Sequence, residues 1–211
     1  MCFITFEGPE GSGKTTQINS LALYLRKKGL KVTLTREPGG SYIADKIRNI
    51  LLDTKNMGLC ANAELLLYLA SRAQHISDKV KKALKAGHIV LCDRFSDSTL
   101  AYQGFGRGFD RRLIEKLNLF AAEGLNPDLT LLLDIGVKAG LERAHKSKNS
   151  KDRIEKESLK FHNRVRKGFL KLAAEEPGRI KVINASGKLE EVRKSITGQV
   201  DKLLDRKKRN A

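Results

Sequence analysis

Residues 8–15 read Gly-Pro-Glu-Gly-Ser-Gly-Lys-Thr, and no other feature constrains the fold of this 211-residue chain as tightly. Gly8, Gly11 and Gly13 allow backbone angles that a Cβ forbids, so successive N–H groups can turn inward around an anion. An apolar run, Cys2–Glu7, precedes the loop, and a helical pattern carried by Ile18, Leu21 and Leu25 follows it. The loop therefore opens a helix at about Lys14, whose N-terminal dipole favours the same negative charge. The pattern predicts nucleoside triphosphate binding. Lys14 would reach the β- and γ-phosphates and the Thr15 hydroxyl would ligate the accompanying Mg²⁺. Gly8, Pro9, Glu10, Gly11, Ser12, Gly13 and Thr16 would supply the rest of the cradle.

Along the chain, short β-branched or apolar runs alternate with helical patterns. Buried strands are predicted at 2–7, 31–36, 88–93, 129–134 and 180–184. A long central helix is marked by Leu65, Leu69, Ala73, Ile76, Val80 and Ala83, and further helices by Val165, Phe169 and Leu172 and by Val192, Ile196, Val200 and Leu203. This alternation predicts an α/β fold of the P-loop NTPase type, a three-layer α/β/α arrangement around a five-stranded parallel sheet. The length suits one domain. In such sheets ligands gather at the carboxyl ends of strands, so residues 7–13, 36–40 and 93–98 should converge on one cleft. Residues 142–158 form the one long polar stretch without apolar periodicity.

The formal net charge of +17 raises the question of nucleic acid. The basic clusters around 143–156 and at Arg206-Lys207-Lys208-Arg209 lack interleaved aromatics, and a basic surface that attracts polyphosphates accounts for them, so nucleic-acid binding is not expected. No apolar stretch reaches membrane-spanning length, and a cytoplasmic protein is expected. Cys2, Cys60 and Cys92 are far apart, and His75, His88, His145 and His162 show no ligand spacing; the cysteines read as reduced thiols and the histidines as packing or surface residues.

The strand ends narrow the chemistry. Asp93, leaving a buried strand beside a phosphate loop, is placed to hold Mg²⁺ directly or through water, and Arg94 offers a planar fork to a phosphate. Glu10 is a carboxylate inside an anion cradle, so it should face the metal or a sugar hydroxyl. A nucleophile–His–acid array is missing, which suits a nucleoside monophosphate acceptor. Its oxygen is already mostly ionised, because a phosphomonoester has a second pKa of about 6. Catalysis then reduces to alignment and charge neutralisation by Lys14, Mg²⁺ and arginines, of which Arg36, Arg48, Arg72, Arg94, Arg143 and Arg153 are candidates. A kinase for another acceptor and a nucleic-acid-stimulated ATPase remain open at this point, whereas a regulatory GTPase lacks its Asn-Lys-x-Asp signature.

Several segments carry a family resemblance in order along the chain: Thr35-Arg36-Glu37-Pro38-Gly39-Gly40, Tyr68-Leu69-Ala70-Ser71-Arg72, Asp93-Arg94-Phe95 running on to Tyr102-Gln103-Gly104, Pro127-Asp128-Leu129 and Asp152-Arg153-Ile154-Glu155. Together they resemble the bacterial thymidylate kinases. The resemblance implies transfer of the ATP γ-phosphoryl group to dTMP by a homodimer, assembled through helices within 61–86. It also implies that Tyr68 stacks on thymine, Arg72 bonds the base edge, and Ser98, Thr99 and Gln103 lie around the base or the lower end of the site. Tyr102 would press on the sugar, Glu10 would accept from the 3′-hydroxyl, and Arg36, Pro38, Arg48 and Arg94 would surround the monophosphate. Since residues 9–12 include no base, a short mobile lid at 142–158 would supply the catalytic cation. Arg153 would reach the transferring phosphate, and Arg143 would face adenine or its phosphates, with Lys146, Lys148 and Lys151 nearby.

Overall fold

In the computed structural model, which describes residues 2–147 and 152–209, the chain folds around a five-stranded parallel sheet. The strands are β1 (Cys2–Glu7), β2 (Val32–Arg36), β3 (Ile89–Asp93), β4 (Leu129–Asp134) and β5 (Ile180–Asn184), in spatial order β2-β3-β1-β4-β5. Each lies within one residue of its expected bounds. All six residues of β1 are buried, as a central strand covered on both faces requires.

The two-residue period of β1 divides the core. Cys2, Ile4 and Phe6 join Leu91, Leu131, Leu133 and Ile183 beneath helices α1 (Lys14–Lys27) and α9 (Leu189–Arg209). Phe3 turns to the other face, where it meets Phe95 edge-on at 4.9 Å. That face is covered by α3 (Ala61–His75), α6 (Arg111–Ala121) and α8 (Leu159–Glu175), packed around Leu69, Ile114, Phe161, Val165 and Phe169. Helices on both faces are what parallel crossovers demand. The chain leaves β1 at the point where successive connections diverge to opposite sides of the sheet, the place where such folds bind ligands.

The central helical run is longer and less regular than the pattern predicts. α3 passes through a wider turn at Ile76–Val80 into α4 (Lys81–Lys85). After β3, α5 (Ser96–Thr99) passes into a second wide turn, Leu100–Gly106. Helices α2 (Tyr42–Leu52), α6 and α7 (Val137–Ser147) were not anticipated. In α6 the exposed Leu113, Leu119 and Phe120 place apolar side chains outside the buried face and blur the stripe.

Residues 142–147, the start of the polar stretch expected without helical periodicity, are helical and complete α7. Periodicity missed this helix because its contact face is built from small residues. A Cβ on Gly140 would stand 2.4 Å from the Glu10 carbonyl oxygen, and one on Gly11 would stand 1.8 Å from the Gly140 oxygen. Backbone against backbone leaves no large side chain to read. Lys148 and Lys151 lie outside the described residues.

Candidate active site

The loop after β1 turns on Gly8, Gly11 and Gly13, with φ of 135°, 66° and 85°. These positive angles are ones a side chain disfavours, and they deliver the chain into α1 with Gly13 at the helix cap. Lys14 folds back along the loop, its ammonium donating to the carbonyls of Gly8 (3.0 Å) and Pro9 (2.9 Å) and to Ser12 Oγ (3.2 Å). Burial and the nearby Arg94 push Lys14 down to about 8, against the attraction of Asp93, Glu10 and Glu7. Beside it the Thr15 hydroxyl donates to Asp93 Oδ2 at 3.2 Å.

Opposite the loop stands Arg94, a non-glycine residue at φ 70°. Its backbone N–H donates to the Phe6 carbonyl at 2.9 Å, and the next N–H, of Phe95, donates to Glu7 Oε1 at 2.7 Å. The strained angle is thus held on both sides, and it aims the guanidinium at the loop. Nη1 donates to the Gly8 carbonyl (3.1 Å) and Ser98 Oγ (3.2 Å), while Nη2 donates to Glu10 Oε1 (3.1 Å). The Ser98 hydroxyl in turn donates to Glu7 Oε2 at 2.5 Å. Burial and the Asp97 carboxylate push Glu7 up to about 8, although Ser98 and Arg94 pull it down.

Glu10 has a counter-charge after all. Its Oε1 also accepts from the Tyr102 hydroxyl at 2.5 Å, and the Arg94 guanidinium stacks over the Tyr102 ring at 5.0 Å. Burial alone would raise the Glu10 carboxyl, but His162, Arg94, Lys14 and Tyr102 together hold it well below the usual carboxylate range. An ionised acid is stable here because three basic groups face it.

One cleft of about 990 Å³ collects most of the predicted site. Glu10, Gly11, Gly13, Lys14, Thr15 and Thr16 form one end. Arg36, Pro38, Arg48, Tyr68, Arg72, Asp93, Arg94, Ser98, Thr99, Tyr102 and Gln103 form the rest, with Arg143 at the edge. Arg36 is exposed and pairs with Asp45 at 3.2 Å; Arg48 Nη1 donates to the Pro38 carbonyl at 2.7 Å. Burial and the positive charges of Arg36 and Arg94 lower the Arg48 pKa, so these cations reinforce one another's appetite for an anion. Arg143 Nη1 donates to the Ala185 carbonyl at 3.0 Å and also borders a smaller cavity beside Ser12 and Gln17.

Some predicted residues are placed differently. Gly8, Pro9 and Ser12 do not border the cleft; the Gly8 and Pro9 carbonyls and Ser12 Oγ serve as acceptors for Lys14. Arg72 is only 2% exposed, with Nε on Glu37 Oε2 (2.8 Å), Nη1 on Asn118 Oδ1 (2.5 Å) and its plane over Phe95 (4.9 Å). The largest departure is Arg153. Expected on a solvated lid, it is buried at 3% exposure; Nε donates to the Leu51 carbonyl at 2.8 Å and Nη2 lies 2.6 Å from Glu64 Oε2. Its neighbours Asp152, Ile154 and Glu155 border the cleft instead.

Sequence reasoning overlooked the carboxylates that hold the arginines. Glu64 precedes Tyr68 by four residues and Tyr68 precedes Arg72 by four, so all three share one face of α3, a spacing that could have found it. Glu37 also receives His75 Nδ1 at 3.0 Å, and His75 Nε2 lies 2.6 Å from Thr35 Oγ1. His162, set aside as a packing histidine, comes within 3.5 Å of Glu10. No local pattern announces that contact, because the two residues meet only through tertiary packing.

The parallel sheet with β1 at its centre, the glycine loop with its lysine and the basic cleft define a P-loop kinase fold. Sequence comparison narrows this class: the profile of the thymidylate kinase family matches residues 6–196. The chain belongs to that family. It is 55% identical to a thymidylate kinase from Trichlorobacter lovleyi over 94% of this chain and 96% of that one. Identity to the thymidylate kinase of Geobacter sulfurreducens is 53%, over 97% of each. Among solved structures it resembles the thymidylate kinase of Ehrlichia chaffeensis, with a TM-score of 0.77 and 37% identity over 95% of this chain and 98% of that one.

Proposed function

We propose that this protein transfers the γ-phosphoryl group of ATP to dTMP, giving dTDP and ADP. Besides family membership, the observation that carries the reading is the polarity of one cleft: Lys14 and the glycine loop close one end, and Arg36, Arg48 and Arg94 converge further along it. Two phosphate groups brought to those cations would meet head to head.

In this reading Gly11, Gly13, Lys14, Thr15 and Thr16 hold the triphosphate, and Arg143 faces the adenine end. Arg36, Arg48 and Arg94 hold the monophosphate, Tyr68 and Arg72 meet the base, and Glu10 accepts from the sugar 3′-hydroxyl. The acceptor oxygen is already ionised near neutrality, so alignment and charge neutralisation carry the chemistry. Lys14 and Arg94 neutralise the group in flight, and Arg94 is already aimed by Glu10, Ser98 and the Gly8 carbonyl. Such preorganised donors act where charge develops and need no reorganisation during the step.

The Thr15 hydroxyl and the Asp93 carboxylate, 3.2 Å apart beside the loop, are hard oxygen ligands of the kind Mg²⁺ takes when substrate phosphates and water complete its shell. Thr15 and Asp93 would hold such an ion beside the phosphates, where it would supply positive charge against the transferring group. The protein would work as one domain in a homodimer. Leu66 on α3 and Leu119 and Phe120 on α6 are exposed apolar side chains available to such a contact, and sedimentation velocity tests it. No described helix is long and apolar enough to cross a membrane.

The deciding experiment is phosphoryl transfer from ATP to dTMP, dUMP, AMP, GMP, CMP and thymidine, followed by product chromatography. Preference for dTMP is expected. Equal or faster turnover with a purine monophosphate would overturn the assignment of the acceptor.

A further inference from the structure

His162 lies in the first turn of α8, its N–H donating to the Ser158 carbonyl at 3.1 Å, immediately after the segment that carries Arg153. The ring is 1% exposed. Nδ1 faces Glu10 Oε2 at 3.5 Å, an ion-pair distance beyond a closed hydrogen bond. Neither ring nitrogen has a hydrogen-bond partner, and neither does Glu10 Oε2. Burying polar atoms in this condition is unfavourable, so the arrangement calls for a reason.

The two carboxylate oxygens of Glu10 are treated differently. Oε1 is fully engaged by the Tyr102 hydroxyl at 2.5 Å and Arg94 Nη2 at 3.1 Å. Oε2 is buried, and His162 is the group that faces it. Glu10 borders that cleft and His162 does not, so the imidazole acts on the carboxylate from behind. The ring itself is confined: Phe161 stands edge-on to it at 5.5 Å, and the same Phe161 meets Tyr102 edge-on at 6.2 Å. One turn of α8 therefore backs both side chains that hold the sugar end of the acceptor.

We propose that His162 is a positioning residue for the acceptor sugar. By facing the buried Oε2 it holds the Glu10 carboxylate turned with its cleft-bordering edge toward the 3′-hydroxyl, and it thereby sets the preference for acceptors that carry that hydroxyl. The proposal rests on the role of Glu10 given under the proposed function. A carboxylate held in one orientation at the cleft rewards an O–H donor, and an acceptor without the hydroxyl leaves it short of that partner. The depressed pKa of Glu10, to which His162 contributes most among its partners, is consistent with this arrangement.

The test compares kcat/KM for dTMP and for 2′,3′-dideoxythymidine monophosphate in the unaltered enzyme and in His162→Phe, His162→Met, His162→Gln and Glu10→Gln variants, each checked for folding by thermal melting. For His162→Phe, kcat/KM on dTMP should fall about 10-fold, chiefly through KM, with the dideoxy acceptor changed less than about 2-fold. His162→Gln retains an N–H donor and should recover most of the discrimination. Adding His162→Phe to Glu10→Gln should cost nothing further. If Glu10→Gln abolishes the discrimination while His162→Phe leaves it intact or weakens both acceptors equally, the proposal is overturned and the role of Glu10 stands. If Glu10→Gln leaves the discrimination unchanged, the role of Glu10 falls and the proposal with it. Should the Phe variant fail to fold, the Met variant, apolar and flexible enough to fill the space, is read by the same criteria.

Discussion

Replacing Glu64 by alanine should remove the buried carboxylate that ties Arg153, Arg107 and Gln103 together. The carboxylate is 1% exposed and serves three partners: Arg153 Nη2 at 2.6 Å, Arg107 through Nε at 3.1 Å and Nη2 at 3.0 Å, and Gln103 Nε2 at 3.0 Å. The partners do not lose equally. Arg107 is 19% exposed and keeps Glu157 at 2.6 Å, whereas Arg153 is 3% exposed and, among the described residues, keeps the Leu51 carbonyl. The cost is therefore dominated by one buried guanidinium left without its counter-charge, about 3–5 kcal/mol. For a chain of this size that corresponds to a fall in Tm of about 6–20 °C. Glu64→Gln keeps the shape and an acceptor but loses the charge, and should cost about 1–3 kcal/mol. Removing Arg153 as well, as Glu64→Ala with Arg153→Met, should restore part of the loss, since no buried charge then lacks a partner. Urea unfolding of the three variants measures this. Glu64 also carries a pH signature. Burial opposes its ionisation, but Arg107, Gln103 and Arg153 hold its pKa below the ordinary 4.5. A lowered folded-state value gives stability that is present above 4.5 and disappears as pH falls through the folded-state value, so the gap between the unaltered enzyme and Glu64→Gln should close in acid. A loss for Glu64→Ala below about 1 kcal/mol, the worth of an exposed pair, would refute the reasoning.

Other expectations concern the loop and its neighbours. Because Lys14 sits at about 8 without a bound anion, its cation is lost as pH rises through that value, and a bound triphosphate must restore it. Calorimetry in buffers of different ionisation enthalpy should show proton uptake on ATP binding near pH 8. Lys14→Met should abolish that uptake and lower turnover by about 10²-fold or more; uptake that survives would locate the titrating group elsewhere. Gly11→Ala places a methyl 1.8 Å from the Gly140 carbonyl oxygen at φ 66°, so α7 must separate from the loop. A loss of about 2 kcal/mol or more is expected in urea, and an unchanged midpoint would contradict the close packing. Thr15→Val, which removes the hydroxyl bonded to Asp93, should raise the Mg²⁺ concentration needed for half-maximal rate several-fold with little change in Tm. An unaltered Mg²⁺ titration would separate Thr15 from the metal.

The five strands and the phosphate loop were readable from the amino-acid sequence because their signals are local. A buried parallel strand is a short apolar run, and an anion-binding turn needs glycines and a lysine at fixed spacing. Asp93-Arg94 was readable for the same reason, standing at a strand end, whereas Tyr68 and Arg72 were singled out by the family resemblance and share one face of α3. Tertiary structure decided what those residues hold. That Arg72 is locked on Glu37 and Asn118, that Arg153 is turned to Glu64, and that His162 reaches Glu10 across an interval of some 150 residues depend on which elements pack together. Helix α7 shows the limit most plainly. Its contact with the loop is made by Gly140 against Gly11, and residues that act by lacking a side chain leave no periodic pattern. Local chemistry thus determined where phosphate can bind, while burial in three dimensions determined which charges face it and which are neutralised behind it.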